Sequence, residues 1–444
     1  MDFISLREQY KEFLYKGFRC EVSEDVYQVT FSYEIPGLSE FETMWKFPGV
    51  GRKVDEVILN RLFFELGMAE AISYWKVTCA PVLRVQCGSL TEWQNKWWRK
   101  LFYNGLGEFM YINGIVVSEE DLLTIVCESE AGVSKLSDTA SYAGCLVPVG
   151  GGKDSVVSME VLGEEDVTLY RINPDATVAN VLAVAEREYK TCFVNRKLDP
   201  RILEMNKRGF LNGHIPFSAV VAFSTFITAY LRGIRYIALS NESSANESTV
   251  VGSFVNHQYS KSYEFEADFM EYIESFLVTD IKYFSLLRPL SELQIASLFA
   301  KYKNYHKAFR SCNAGSKQGI WCCNCPKCLF VYIILSPFLT EDALVEIFGE
   351  NLLDAQKSEK YFRELTGLDE NKPFECVGTR SEVVMCLKKY LEKGGTSLLP
   401  VKYREWLMAQ PGDVDTALTE WNEVHGVPAE LEELVRAELG LSRG

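Results

Sequence analysis

With 444 residues, the chain is long enough for two or three domains, each able to bury a core of ordinary size. Its 47% hydrophobic and 24% charged residues exclude the disordered class, and a formal charge of −15 opposes nucleic-acid phosphates unless a local basic groove overrides it. Neither nucleic acid nor membrane is expected as a partner. The opening MDFISLREQYKEF lacks an apolar secretory core, and the longest apolar run, Ile215 to Leu231, carries Ser218, Ser224, Thr225 and Thr228 and is short for a membrane span. That run reads as a buried helix, and a cytoplasmic location is expected.

Residues 1–135 read as a separate α+β domain. Tyr27 to Tyr33 alternates like a strand, IPGL turns, Phe41 to Phe47 returns as a second strand, and Val54 to Tyr74 has helical spacing. The stretch WQNKWWRKLFYNGLGEFMYING reads as an amphipathic helix, since its few basic residues disfavour a base-stacking surface. Over 136–338 the pattern is that of a doubly wound, mostly parallel α/β domain. Strands are expected at Cys145 to Val149, Val167 to Ile172, Tyr236 to Ser240 and Lys282 to Leu287. Helices are expected at Thr177 to Tyr189, Ser218 to Arg232, Phe265 to Leu277 and, after a Ser291-x-x-Gln294 capping box, Glu292 to Tyr302. In such folds ligands gather at the carboxyl ends of the strands. Residues 339–444 read as helical, and the last 44, with nine acids against four bases, as a solvated tail.

CLVPVGGGKDSVVSMEVL sets a strand, the glycines Gly150, Gly151 and Gly152, then Lys153, Asp154 and Ser155, and a helix in immediate succession. Glycines let backbone N–H groups turn inward as an anion nest, and the helix presents its positive end to the same point. Lys153 and the Ser155 hydroxyl add donors, and Asp154 suits magnesium beside phosphates. The Walker A spacing is absent. Further along, Asn173 ends the second strand, and SNESSAN puts Ser240, Asn241, Glu242, Ser243 and Asn246 at the end of the third.

The chain holds 13 cysteines, five of them between Cys312 and Cys328. Crowding of this kind suits a metal site better than a disulfide framework. Cys312, Cys322, Cys325 and Cys328 form a closed set of four soft ligands for a structural zinc, with Cys323 as an extra thiol able to exchange with Cys322.

The glycine loop resembles the S-G-G-x-D-S loop of PP-loop ATP pyrophosphatases, such as argininosuccinate synthetase and the queuosine-precursor nitrile synthase, with Gly150 in place of the first serine. That resemblance implies a PP-loop (HUP-like) fold in which pyrophosphate is held while AMP passes to an oxygen of the substrate, with adenosine near Asn173. The cysteine spacing is similar to the zinc site of the nitrile synthases and favours Cys322 over Cys323. Read together, VPVGGGKDS, LNGHIPFS, SNESSANES, VNHQYSKS, YFSLLRPLSELQIA, FRSCN, CPKCLFV, IFGENLLD and KPFECVGT resemble the MurL family, the ATP-dependent epimerases of UDP-N-acetylmuramoyl-L-alanyl-L-glutamate. The likeness runs from about Tyr74 to Thr379.

That resemblance implies ATP and magnesium as cofactors, a structural zinc and a UDP-muramoyl dipeptide as substrate. Lys153, Lys261 and Arg288 then neutralise phosphates and carboxylate, His257 and His214 carry protons, and Glu242 and Glu247 act as magnesium ligands or bases. A PP-loop amide, nitrile or thiolation enzyme shares the same loop, and a zinc-stapled RNA-docking module is a reading from another class.

Overall fold

The computed structural model describes residues 1–129, 134–163, 165–246, 259–312, 314–315, 318–370, 372–373, 375 and 377–441. The strands used below are β1 Glu12–Ser23, β2 Val26–Ile35, β3 Ser39–Pro48, β4 Val82–Val85, β5 Thr124–Cys127, β6 Cys145–Pro148, β7 Val167–Ile172, β8 Lys190–Lys197, β9 Tyr236–Leu239 and β10 Lys282–Ser285. The helices that matter below are α1 Glu56–Trp75, α2 Glu92–Gly105, α3 Lys153–Val161, α4 Ala176–Ala183, α5 Phe217–Arg232, α6 Tyr263–Phe276, α7 Glu292–Lys301, α8 Pro326–Leu335, α9 Arg380–Glu392 and α10 Ala429–Leu439. The fold class is α/β. Two compact units interleave in sequence: Met1–Leu146 with Cys192–Ile237 and Val255–Tyr283, and Val147–Thr191 with Ala238–Phe254 and Phe284–Gly444.

In the first unit the strand order is β8-β3-β2-β1-β4-β5. The expected hairpin is β2 and β3, paired antiparallel from Val26↔Pro48 to Ile35↔Ser39. Its turn passes through Gly37 at φ +78°, a conformation that a side chain resists. β1 had no counterpart in the sequence reading. It pairs antiparallel with β2 but shifts register between Tyr15 and Gly17, and that bulge breaks the two-residue alternation by which a strand is recognised. β4 lies parallel to β1, and β5 parallel to β4.

Helix α1 starts where Asp55 accepts from the Val57 and Ile58 amides at 2.7 and 3.4 Å. Two carboxylates on α1 are fully buried, and each is matched by partners. Glu70 receives Arg196 through both oxygens at 2.6 and 2.7 Å and the Trp45 indole at 2.8 Å. Glu65 accepts from the Tyr272 hydroxyl at 2.6 Å, and that oxygen in turn accepts from the Trp98 indole at 2.7 Å. The tryptophan-rich stretch, read as one helix, divides at Leu106 into α2 and a short helix Gly107–Ile112; in α2 Trp97, Trp98, Leu101 and Phe102 are buried and the indoles bond to α6. The apolar run is the buried helix α5, closed by Gly233 at φ +73°.

The second unit takes the strand ends in the order β10-β9-β6-β7, with β9 parallel to β6. Val149 donates to Tyr170 and Leu286 to Leu239, each at 2.8 Å. The capping box at Ser291 and Gln294 is present at the start of α7. α4 ends at Ala183, six residues earlier than the spacing suggests. Tyr189 is drawn to the Met159 carbonyl at 3.1 Å, and the chain then enters β8, an unforeseen strand. The sequence marks the last 44 residues as a solvated tail. Instead α10 buries Leu431 and Val435 and packs on α7 and α3, because its acidic face hides a short apolar stripe. Among the described residues, no helix is long and apolar enough to cross a membrane.

Removing one side of a buried ion pair strands the other. Glu70→Ala is expected to destabilise the first unit by about 3–5 kcal/mol, measured by urea denaturation. A loss under about 1 kcal/mol would show that Arg196 finds water or another acceptor instead.

Candidate functional site

The glycine loop joins β6 to α3, and two of its three glycines are sterically required. Gly151 sits at φ +78°, and a Cβ there would lie 2.4 Å from Thr177 Cγ2 on α4. A Cβ on Gly152 would lie 2.8 Å from Ser311 Oγ. The loop is also tied from outside, since the Arg310 amide donates to the Gly151 carbonyl at 2.9 Å. Gly150 lies beside Arg171, whose guanidinium pairs with Asp175 at 3.0 Å. Gly152 occupies the N-cap of α3 and offers no side chain to its first-turn amides, which lie at the positive end of the helix. The Ser155 hydroxyl turns back to the Gly152 carbonyl at 3.0 Å.

Lys153 is only 2% exposed, and its ammonium contacts the carboxylates of both Asp154 and Glu292. Burial works against its charge, but Asp154 and Glu292 overcome that cost and hold the ammonium well above the ordinary lysine range. Glu292, the first residue of α7, is itself 4% exposed. Burial pushes its carboxyl up, Asp154 and Glu242 add to the rise, and Lys153 opposes it. The cluster therefore holds more acids than one ammonium neutralises, which favours a further cation or a retained proton. Glu292 escaped the sequence reading because an acid in the first turn of a helix ordinarily just complements the helix dipole.

Arg288 is fully buried and donates to the Glu242 carbonyl at 2.6 Å and to Ser285 Oγ at 3.2 Å. Asn241 donates to the same Ser285 oxygen at 3.0 Å, and Ser240 bonds to Ser158 on α3 at 2.8 Å. Asn173 ends β7 at φ +48°. The second unit thus brings Lys153, Asp154, Glu242, Arg288 and Glu292 into one network around the ends of β9 and β10.

Lys261 and His214 belong to the first unit. Lys261 closes a short 3-10 turn, Tyr259–Lys261. His214 is exposed, with Nδ1 3.9 Å from Glu108. Its loop is held by Lys76, a residue not singled out from sequence, which donates to Asn212 Oδ1 at 3.1 Å and the Gly213 carbonyl at 2.6 Å; burial brings the Lys76 ammonium down to about 8. His257 and Glu247 lie outside the described residues.

Cys312, Cys322, Cys325 and Cys328 bring their sulfurs within 4.8 Å of one another, close enough to wrap one metal ion. Cys322 lies 3.7 Å from Cys328, and Cys325 3.4 Å. The Gly315 and Cys322 amides donate to Cys312 Sγ at 3.2 and 3.4 Å. Cys323 has φ +50° and donates instead to the Phe348 carbonyl at 3.1 Å. The geometry therefore selects Cys322 over Cys323.

Comparison with known proteins gives a match to the MurL N-terminal domain over residues 5–286 and to the MurL C-terminal domain over residues 305–401. A curated relative from Xanthomonas oryzae pv. oryzae, named UDP-N-acetyl-alpha-D-muramoyl-L-alanyl-L-glutamate epimerase, is 35% identical over 332 residues, 71% of each chain. Proteins of the same name from Salinispora tropica and a Micromonospora strain are each 34% identical, over 77% and 76% of this chain and 76% of their own. No solved structure matches.

Two outcomes follow from the loop and the thiols. Gly151→Ala is expected to cost about 1–3 kcal/mol in stability through its left-handed backbone alone, with further loss from the Thr177 clash; parental melting behaviour would show that the loop shifts freely. Plasma mass spectrometry of dialysed protein is expected to find bound metal at the parental ratio in Cys323→Ser and none in Cys328→Ser, whereas loss in both variants would contradict the four-sulfur assignment.

Proposed function

The chain belongs to the MurL family, and from that membership we propose that it inverts the terminal glutamate of UDP-N-acetylmuramoyl-L-alanyl-L-glutamate, an isomerisation in peptidoglycan precursor synthesis. The shared name of relatives aligned over about three quarters of both chains supports the reaction. We further propose that the reaction consumes ATP, and the observation that carries this is the uncapped start of α3 behind a glycine turn whose Gly151 admits no Cβ.

The chemistry gives ATP a purpose. The α-hydrogen of glutamate is hard to remove beside a carboxylate, because deprotonation sets a second negative charge next to the first. In the proposed reaction a carboxylate oxygen attacks the α-phosphorus of ATP, the bond to the bridging oxygen breaks, and pyrophosphate leaves. The acyl-adenylate so formed has no carboxylate charge and a more acidic α-carbon. A base takes the α-proton from one face and an acid returns one to the other. Water then cleaves the mixed anhydride, giving the D-glutamyl product and AMP.

Residue roles are assigned on the same footing. The amides of Gly150 to Ser155 hold the departing pyrophosphate, with Lys153, Lys261 and Arg288 supplying positive charge. Glu292 keeps Lys153 charged and aimed. Asn173, Ser240 and Asn241 line the nucleotide side. His257 and His214 are the proton carriers, and Asp154 and Glu242 are suited to magnesium, which would screen the phosphates when bound. A zinc held by Cys312, Cys322, Cys325 and Cys328 would have no open position, so its contribution is to the fold.

The deciding assay incubates the protein with ATP, magnesium and the UDP-muramoyl dipeptide, followed by chiral analysis of glutamate. D-Glutamate with equimolar AMP and pyrophosphate is expected. ADP with orthophosphate would refute the adenylate route, and a product heavier than the substrate would point to an amide, nitrile or thiolation enzyme. Among variants, Lys153→Ala is expected to slow AMP formation about 100-fold, as loss of one charge-stabilising donor does. His257→Asn is expected to abolish inversion while sparing part of AMP formation, and normal turnover would remove His257 from the mechanism.

A further inference from the structure

The carboxyl-terminal segment, outside the stretch matched to the family's C-terminal domain, reaches the network described above from behind. Asn422 donates through its side-chain amide to the Arg288 carbonyl at 3.1 Å, and its backbone amide donates to the Pro289 carbonyl at 3.0 Å. Its Oδ1 is held in turn by the Val424 amide at 3.1 Å. Gln294, which completes the cap of α7 two residues after Glu292, donates to the Leu418 and Glu420 carbonyls at 3.1 and 2.7 Å.

The tail is itself locked. Arg436 stacks 3.8 Å from the Trp421 ring centroid and pairs with Glu432 at 2.7 Å. The segment 286–291 that carries Arg288 is neither helix nor strand: the Arg288 amide bonds to the Ser285 carbonyl at 3.2 Å and the Leu290 amide to the Leu287 carbonyl at 2.9 Å, and the Asn422 bonds fasten it from outside.

We propose that Asn422 is a positioning residue for Arg288, making the acidic tail a working part of the catalytic unit. Arg288 is held at both ends: its guanidinium by Glu242 and Ser285, its main chain by Asn422. The role of Arg288 in charge neutralisation rests on the function proposed above, while the strap itself rests on the hydrogen bonds alone.

Asn422→Ala removes all three side-chain bonds, including the 3.2 Å donation to the Val424 carbonyl, and Asn422→Asp keeps the acceptor for the Val424 amide but loses the donor to Arg288. Both are expected to lower kcat for AMP formation about tenfold, the rate equivalent of one lost hydrogen bond, with KM for the dipeptide and the melting temperature close to parental. Hydrogen exchange at 285–291 is expected to quicken in both variants. Unchanged exchange would overturn the strap. Quickened exchange with parental kcat, or a fall in melting temperature that accounts for the whole loss, would overturn the positioning role. If the parent protein makes no AMP and inverts no glutamate, the proposed function fails, and the exchange measurement still decides whether Asn422 holds the loop.

Discussion

A lysine ammonium in a protein interior persists only with its counter-charges in place, and in this chain that requirement falls on Lys153. One counter-charge, Asp154, comes with the loop. The other, Glu292, comes from 139 residues away and is delivered by α7. The placement of α7 follows from its own bonds: Ser291 and Gln294 set its first turn, and Glu382 at the start of α9 accepts from the Leu293 amide at 3.2 Å. Much of the second unit can be read as the scaffold that brings one buried carboxylate to one buried ammonium.

How much of this was readable from the amino acids depended on whether a feature was local. The glycine loop, the Ser291 capping box, β7 and the hairpin β2/β3 depend on neighbours in sequence, and each stands where the pattern put it. β1 was hidden because its bulge at Tyr15 to Gly17 scrambles the alternation, and β8 because Cys192 to Val194 is only a short apolar patch set among polar and charged residues. Glu292 and Asn422 carried no signal at all. An acid at a helix start and an asparagine in an acidic tail are ordinary, and only long-range contacts give them meaning.

The first unit makes the same point through α1. Sequence spacing marks it as a helix, yet nearly its whole length is buried, and its two carboxylates resemble solvent-facing positions until Arg196, Trp45, Arg61, Tyr272 and Trp98 are seen around them. Buried polar networks of this kind hold a fold to one arrangement only when every member is satisfied. Cys323 shows the reverse case. In sequence it is interchangeable with Cys322, but a left-handed backbone and the Phe348 carbonyl take it out of the cluster.

The Arg310 amide that fastens Gly151, the Ser311 side chain packed over Gly152 and the Cys312 sulfur are contributed by three consecutive residues. Any restraint on that sulfur therefore acts on the same stretch of backbone that shapes the glycine turn. The glycine turn and the thiol cluster thus share one short run of backbone, so neither can shift without moving the other.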